Sequence, residues 1–289
     1  EALQKVFLAK GRPQDNPLIL HIYDKRQVDE IVEEVPTGAD KLMKRFWPGP
    51  LTLIMKKKKD VSSTISGGLS TIALRMPSNQ IALELLKEVN IPLAAPSANR
   101  SGRPSPTSEA HLEEMQGRVD AILLGGDTDI GIESTVLDLT KNPPLLLRPG
   151  KVSLEELEEV LGKVEVYQGK GEGEASPGLR YLHYAPTTPV VVLQGTEDKI
   201  IEFIKQNEEN NVYLVTEEVY DQCGDKSCVL FYPKNHLDHA AREYFRLLRS
   251  LDQQRYAIIY VTEISKTGFG RAIMDRIHRS SGYQFRRLE

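Results

Sequence analysis

The chain has 289 residues, of which 40% are hydrophobic and 27% charged, and this composition excludes a disordered or fibrous protein. Its 37 basic and 41 acidic side chains sum to a net charge of −4, which excludes the broad positive field of a nucleic-acid packaging protein. Residues 1–150 carry 19 Lys and Arg against 19 Asp and Glu, so any anion binding there requires a local cluster of cations.

Strand and helix patterns alternate along the first half of the chain, which is typical of α/β folds. Leu3, Val6 and Phe7 have helical spacing and predict a first helix, which ends at the turn formed by Gly11 and Pro13. The predicted strands are 17–23, 51–55, 71–75, 91–95, 121–124, 134–139 and 144–148. The predicted helices are 28–35, 39–47, 79–89, 108–116 and a last one that begins at a Ser153–Glu156 capping box and ends at Gly162.

The second half begins after a stretch rich in glycine and charge, residues 167–178, which predicts a domain linker. Strands are predicted at 189–193, 212–215, 228–231 and 256–261, and helices at 197–207, 237–251 and 269–280. We therefore predict an N-terminal domain at 1–163, a linker at 164–187 and a smaller C-terminal domain at 188–289. The C-terminal domain should be a Rossmann-like three-layer domain with a mostly parallel sheet.

Cysteine content and hydropathy predict a cytoplasmic protein. The spacing of Cys223 and Cys228 suits neither a disulfide framework nor a four-ligand zinc site, which fits a reducing compartment. No apolar run approaches the ~18 residues of a membrane helix, and no signal peptide is visible.

The first candidate site lies where the first helix ends. Lys10 and Arg12 leave the helix at a glycine turn, where both cationic groups can converge on one anion, and Asn16 and His21 follow. Two plainer interpretations remain open at this point. Basic residues in a last helical turn also complement the helix dipole, and a histidine in an apolar strand is often a hydrogen-bonded core residue.

The second candidate is the polar loop 95–107, which starts at the carboxyl end of a buried strand. Its Ser97, Asn99 and Ser105, with nearby backbone amides, form a dense set of donors for phosphate. A polar surface loop without a ligand is the alternative.

Further cations stand at strand ends. Arg75 and Arg148 each close a predicted strand, and Thr135 enters another, where it also fits ordinary strand propensity. With Lys10 and Arg12, these arginines would form a cationic pocket suited to a polyphosphate rather than to an extended nucleic acid. The chain has no P-loop, complete dinucleotide fingerprint, HExxH or nucleophile elbow. Lys56–Lys59 reads as a solvated turn, with transient RNA contact as the alternative.

Six motifs in order match a known family: KGRPQDNPLILHI, FWPGPLTLIM, IALRMPSN, PLAAPSANRSGRPSPT, GIESTVLDL and LLLRPG. They resemble the YrdC-like domain, and SPGLRYLHYAP resembles the linker of its two-domain form. The whole chain thus resembles the threonylcarbamoyl-AMP synthases. The resemblance implies a twisted mixed N-terminal sheet with helices and a nucleotidyltransferase that condenses L-threonine, bicarbonate and ATP. The products would be threonylcarbamoyl-AMP and pyrophosphate, for modification of the adenosine beside the tRNA anticodon by a downstream transferase complex.

The resemblance also implies residue roles. The family's K-x-R and S-x-N motifs fall on the implied catalytic residues, which are Lys10, Arg12, Ser97 and Asn99. The implied ATP-binding residues are Arg12, Asn16, Thr71, Ala95, Ser97, Ser105, Arg148 and Tyr184. The implied threonine-binding residues are His21, Arg75, Ala95 and Thr135. Tyr184 would reach from the linker toward the nucleotide, so that the linker acts as a lid as well as a tether.

No residue is an obvious nucleophile or dedicated base, so we expect catalysis by placement and charge neutralisation. Mg²⁺ would be bound through the nucleotide phosphates, with no protein ligand, and contact with tRNA would be transient.

One departure from the family is visible at the first residue. The family places a strand and turn with the motif PTETVYGLG before the helix that opens this chain, and that segment supplies threonine contacts. We expect a truncated start, with a catalytically impaired version of the enzyme as the alternative. The chain as given should have an open pocket and an unpaired sheet neighbour. Two rivals remain: a carbamoyl-AMP-forming relative, which should bring acylphosphatase and zinc-finger modules, and a non-enzymatic RNA-binding module.

Overall fold

A computed structural model of the chain describes residues 1–168, 184–207, 210–223, 227–234 and 236–289. These residues form two compact units. The first contains Glu1–Arg100, Gly117–Gly125 and the residues from Glu133 to the end of the first described range; the second contains Ser101–Gln116, Gly126–Ile132 and the rest. Most of the predicted linker lies outside the described residues, so the predicted domain boundaries stay predictions.

A seven-stranded mixed sheet forms the centre of the first unit, as predicted. Its strands are β1 (Ile19–His21), β2 (Leu51–Lys56), β3 (Thr71–Arg75), β4 (Leu93–Ala94), β5 (Thr135–Asp138), β6 (Leu145–Arg148) and β7 (Glu165–Val166). The strand order is β4-β1-β3-β2-β5-β6-β7. The pairs β1/β3, β2/β5 and β6/β7 are parallel, and the other three pairs are antiparallel.

Five helices belong to this unit: α1 (Ala2–Lys10), α2 (Arg26–Ile31), α3 (Ala39–Phe46), α4 (Gln80–Val89) and α5 (Leu154–Leu161). The ends of α1 and α5 follow the sequence signals, whereas α2 ends at Ile31, four residues before the predicted end, because Val32 is already extended. Helix α1 stops at Gly11, which adopts the left-handed conformation that a glycine tolerates best. Helix α5 begins with the predicted capping box, because Ser153 and Glu156 satisfy each other's backbone amides.

The two faces of the first sheet are packed differently. Leu53, Leu74 and Leu137 face the main core, which the helices cover. Their sequence neighbours Ile54, Ala73 and Val136 point the other way and form a small separate cluster. Because successive strand side chains alternate between faces, every second residue of these strands lies on that second face.

The second unit contains a five-stranded parallel sheet with the order β10-β9-β11-β8-β12. Its strands are β8 (Val190–Gln194), β9 (Val212–Thr216), β10 (Cys228–Tyr232), β11 (Ile259–Thr262) and β12 (Phe285–Arg287). Its helices are α6 (Glu197–Gln206), α7 (Glu217–Cys223), α8 (Leu237–Asp252) and α9 (Gly268–Ser280). Helices α6 and α7 cover one face, and α8 and α9 cover the other. The predicted three-layer domain is confirmed.

Two stretches of the polar loop region pack with this second unit. Gly131 has a φ of +85°, and a Cβ there would lie 2.4 Å from the carbonyl oxygen of Ala241, so only glycine fits. Arg249 donates to Glu114 at 3.0 Å. Residues 101–116 and 126–132 therefore belong to the second unit, where they contact helix α8.

Two further sequence predictions of local structure need correction, and three short elements were missed. Residues 121–124 are exposed and irregular rather than a strand, because no described strand pairs with this apolar run. The predicted helix at 108–116 is a 3₁₀ helix, Glu109–Met115, in which His111 N donates to the Ser108 carbonyl three residues back. The short elements α7, β7 and β12 were not predicted. Among the described residues, no helix has the length and apolar character needed to cross a membrane.

Candidate active site

Polar side chains gather at one edge of the second face of the mixed sheet. His21 and Arg75 are register partners at the ends of the parallel strands β1 and β3. Thr52 is the second residue of the neighbouring strand β2, and Ser134 directly precedes β5, at the same edge. Each lies two residues from a member of the small cluster on that face, so alternation places all four on it.

Arg75 supplies a largely buried positive charge at this edge. Its Nε donates to the Gly49 carbonyl at 3.0 Å, and among the described residues it has no ion pair with a carboxylate. Burial first, and then the positive charge of Arg148, lowers the pKa of Arg75 to about 10. Two guanidinium groups therefore lie close enough to repel each other, and an anion between them would relieve that repulsion.

Arg148 is held against the start of β5. Its Nε donates to the Ser134 carbonyl at 3.0 Å, and its Nη2 donates to Ser134 Oγ at 3.1 Å. Ser134 Oγ lies 2.8 Å from Thr52 Oγ1. All three side chains are buried. The guanidinium is therefore oriented by a hydroxyl pair that spans two strands.

Gly150 allows the end of β6 to approach β5 this closely. A Cβ at residue 150 would lie 2.3 Å from the amide nitrogen of Thr135 and 2.7 Å from the Ser134 carbonyl carbon. Any larger residue would push these backbones apart and displace Arg148, which stands two residues earlier.

His21 carries no charge at neutral pH in this environment. Burial, and then the positive charge of Arg75, lowers the pKa of His21 to about 3. A neutral imidazole both donates and accepts hydrogen bonds, which suits a ligand with ammonium, hydroxyl or carboxylate groups.

Lys10 ties helix α1 to the loop after β4. Its ammonium group donates to the carbonyl oxygen of Ser97 and, at 2.6 Å, to that of Asn99. The Lys10 side chain is 5% exposed, whereas Ser97 is exposed. The structure thus brings the K-x-R and S-x-N motifs together. Lys10 holds the loop through two carbonyls, and Ser97 is exposed to solvent.

Arg12 organises the turn that follows α1. Its Nη2 donates to Asn16 Oδ1 and to the Pro17 carbonyl, both at 2.7 Å, and its Nε donates to the Asn16 carbonyl at 3.2 Å. The predicted pair of Arg12 and Asn16 is therefore in direct contact.

Other predicted residues lie farther from the arginines. Thr71 is on the same face as Arg75 but four residues away, roughly 13 Å along the strand. Ala95 is exposed, and its amide donates to the Ile19 carbonyl at 3.2 Å. Thr135 points toward the main core, where its hydroxyl donates to the Val152 carbonyl at 2.7 Å.

Two predicted ATP-binding residues belong to the second unit. Ser105 is buried there. Tyr184 has a φ of +68°, its ring lies 5.2 Å from that of Phe245, and the guanidinium carbon of Arg276 lies 5.7 Å from its centre. Within its own unit, Tyr184 is therefore anchored by aromatic and cation–π contacts.

Sequence reasoning missed Thr52 as a site residue and named Ser134 only as part of a motif. The available signal was strand alternation, since Thr52 stands two residues before a cluster residue, as Ser134 does. Within the described ranges no three His, Cys, Asp or Glu side chains could hold an ion together, and cations dominate this sheet edge.

Comparison with known proteins covers nearly the whole chain. Residues 1–150 match the family model described as "Telomere recombination", and residues 152–282 match that of the "Threonylcarbamoyl-AMP synthase, C-terminal domain". The threonylcarbamoyl-AMP synthase of Pyrococcus abyssi is 42% identical over 98% of this chain and 85% of its own length. That of Bacillus subtilis is 41% identical over 98% of this chain and 84% of its own length.

A solved structure of the same family is similar to this chain over its whole length. The crystal structure of P. abyssi Sua5 complexed with L-threonine has a TM-score of 0.89 and 39% sequence identity, and the match covers 100% of this chain and 86% of that one. The likeness extends over both sheets.

Proposed function

The chain belongs to the two-domain threonylcarbamoyl-AMP synthases, and on that premise we propose how its described residues perform the reaction. The activity is that of a nucleotidyltransferase whose product serves the modification of tRNA. We assign L-threonine, bicarbonate and ATP as substrates. The observation that supports this most directly is the pair of guanidinium groups at one edge of the mixed sheet, those of the half-buried Arg75 and the buried Arg148.

The proposed chemistry has two steps. The threonine amine attacks bicarbonate, a C–N bond forms, and loss of water leaves N-carboxythreonine. Its new carboxylate oxygen then attacks the α-phosphorus of ATP, the bond to the bridging oxygen breaks, and pyrophosphate leaves with the electron pair. Both steps bring anions together, so the site must neutralise charge and align the reacting atoms.

The described residues can divide this work. Arg148 binds the nucleotide, and Arg75 neutralises a carboxylate or phosphate beside it. His21, uncharged at neutral pH, contacts threonine through hydrogen bonds. Lys10 holds the loop so that the exposed Ser97 meets phosphate. This division uses no general base from the protein and depends on preformed positions.

Other predicted site residues also receive roles in the proposal. Asn99 shapes the loop, and Arg12 and Asn16 bind phosphates together. Thr71 is also assigned to ATP, and the backbone of Ala95 to ATP and threonine. Thr135 can contact threonine only through its backbone, because its side chain faces the main core. Mg²⁺ would enter as the complex with ATP, bound by phosphate oxygens. A transferase complex in the cytoplasm consumes the product, and tRNA contact with this chain is transient.

Pyrophosphate release tests the proposal. The full chain should release pyrophosphate from ATP only when L-threonine and bicarbonate are both present. Equal release without threonine would refute the reaction. An RNA-binding module would instead bind RNA with strong salt dependence and leave ATP intact. Replacing Arg148 with Ala should weaken ATP binding, and unchanged nucleotide affinity would refute its assignment.

A further inference from the structure

We propose that Thr52 is a positioning residue for Arg148, acting through the hydroxyl of Ser134. The inference rests on the proposed function, because it assumes that Arg148 binds the nucleotide. Thr52 itself need not touch substrate. Its part would be to hold the serine hydroxyl that orients the guanidinium.

The hydrogen bonds form a short chain across three strands. Ser134 directly precedes β5, which lies between β2 and β6, so Thr52 and Arg148 approach it from opposite sides. Ser134 Oγ lies 2.8 Å from Thr52 Oγ1 and 3.1 Å from Arg148 Nη2. Because a guanidinium only donates, Ser134 Oγ must accept from Arg148. The orientation of the serine hydroxyl is then set by its second partner, Thr52.

Burial makes this chain sensitive to one missing hydroxyl. Thr52 is 0% exposed, Ser134 2% and Arg148 5%. Bulk water cannot reach such positions to replace a lost partner. Without Thr52 Oγ1, the Ser134 hydroxyl would therefore rotate among several orientations. The second bond from Arg148, to the Ser134 carbonyl, would remain. The expected result is a guanidinium that is retained but less well oriented.

A purely structural role for Thr52 is the competing explanation. Threonine favours strands, and Thr52 neighbours the small apolar cluster through Ile54 on the same face. Valine has nearly the same shape and equal or better strand propensity, so Thr52→Val removes the hydroxyl and little else. A structural role predicts no specific change in ATP binding from this variant.

The KM values for ATP and L-threonine, measured by steady-state kinetics on variants whose thermal unfolding shows that they are folded, separate the two explanations. Thr52→Val should raise the KM for ATP about tenfold, equivalent to about 1.4 kcal/mol, with the KM for L-threonine within about twofold of wild type. Thr52→Ser, which keeps a hydroxyl, should restore most of the ATP affinity. Thr262→Val is the matched control: Thr262 is equally buried in strand β11 of the second unit and should leave both constants unchanged.

A failure of the nucleotide role of Arg148 can be told apart from a failure of the positioning role of Thr52. If Arg148→Lys leaves the KM for ATP unchanged, the proposed nucleotide role of Arg148 is wrong. If Arg148→Lys raises it but Thr52→Val does not, only the positioning role is overturned. A double variant that is no worse than Arg148→Lys alone supports the chain of contacts, and additive losses overturn it. Ser134→Ala, measured in the same way, decides the matter if Thr52→Val does not fold.

Discussion

Arg75 should lower the stability of the ligand-free protein while being required for binding. The test replaces it with methionine, which keeps an unbranched side chain of similar length and removes the charge. Methionine loses one hydrogen bond, the donation from Nε to the Gly49 carbonyl. It also removes a partly buried cation that has no carboxylate partner among the described residues.

The magnitude follows from the pKa. Burial and Arg148 lower the pKa of Arg75 from 12.5 to about 10, which opposes the charged form by ~3 kcal/mol at 1.36 kcal/mol per unit. Both pKa values lie above 7, so this penalty is fully present at neutral pH. Losing the bond to Gly49 costs about 1 kcal/mol. Arg75→Met should therefore stabilise the ligand-free protein by about 2 kcal/mol, or about 4–8 °C in the first unit's thermal midpoint.

Differential scanning calorimetry with and without MgATP and L-threonine measures both effects. The variant should melt higher than wild type without ligand and show no rise in midpoint when the substrates are added. Arg26→Met is the control, because Arg26 is an exposed arginine paired with Asp24, and it should keep the ligand response. A variant that melts lower and still responds to substrates would refute the account of the buried guanidinium.

Three further predictions concern other contacts. Lys10→Met should reduce kcat/KM about a hundredfold, the order expected when a positioning loop is displaced, and speed amide hydrogen exchange in residues 95–100, because two loop carbonyls lose their donor. Lowering the pH from 7 to 5 should destabilise the first unit by about 2 kcal/mol through His21, whose pKa rises from about 3 in the fold to its ordinary 6.5 on unfolding. Urea unfolding should show a shallower pH dependence in His21→Gln. Ser153→Ala should cost ~1 kcal/mol in the same assay, with activity unchanged.

Each of these has a contradicting outcome. Unchanged exchange in the loop of Lys10→Met would show that Lys10 does not hold it. Equal pH slopes in wild type and His21→Gln would mean that this histidine is not buried in its neutral form. A Ser153→Ala variant with reduced activity and unchanged stability would contradict a purely capping role.

Elements whose signals are local were predictable. Strand β3 has the predicted bounds, because TIALR alternates residues for two faces between clear breaks. The ends of α1 and α5 follow from Gly11, Ser153 and Glu156, which act within a few residues of themselves. By contrast, residues 121–124 have strand composition and no described partner, and a strand exists only through its partner.

The site was predictable as a set of residue types but not as an arrangement. Lys10 and Ser97 are 87 positions apart, and only the folded chain shows that the lysine contacts carbonyls of that loop. Ser134 and Thr135 are adjacent hydroxyl residues, and register alone decides that one meets Arg148 while the other faces the core. A one-residue shift would exchange their positions.

The identity of the product decides whether this chain forms threonylcarbamoyl-AMP. The full chain would be incubated with MgATP, L-threonine and ¹³C-labelled bicarbonate, and the products analysed by mass spectrometry. We predict threonylcarbamoyl-AMP that carries one ¹³C atom, in amounts equal to the pyrophosphate released. Pyrophosphate release without this adenylate, or an adenylate without the label, would contradict it.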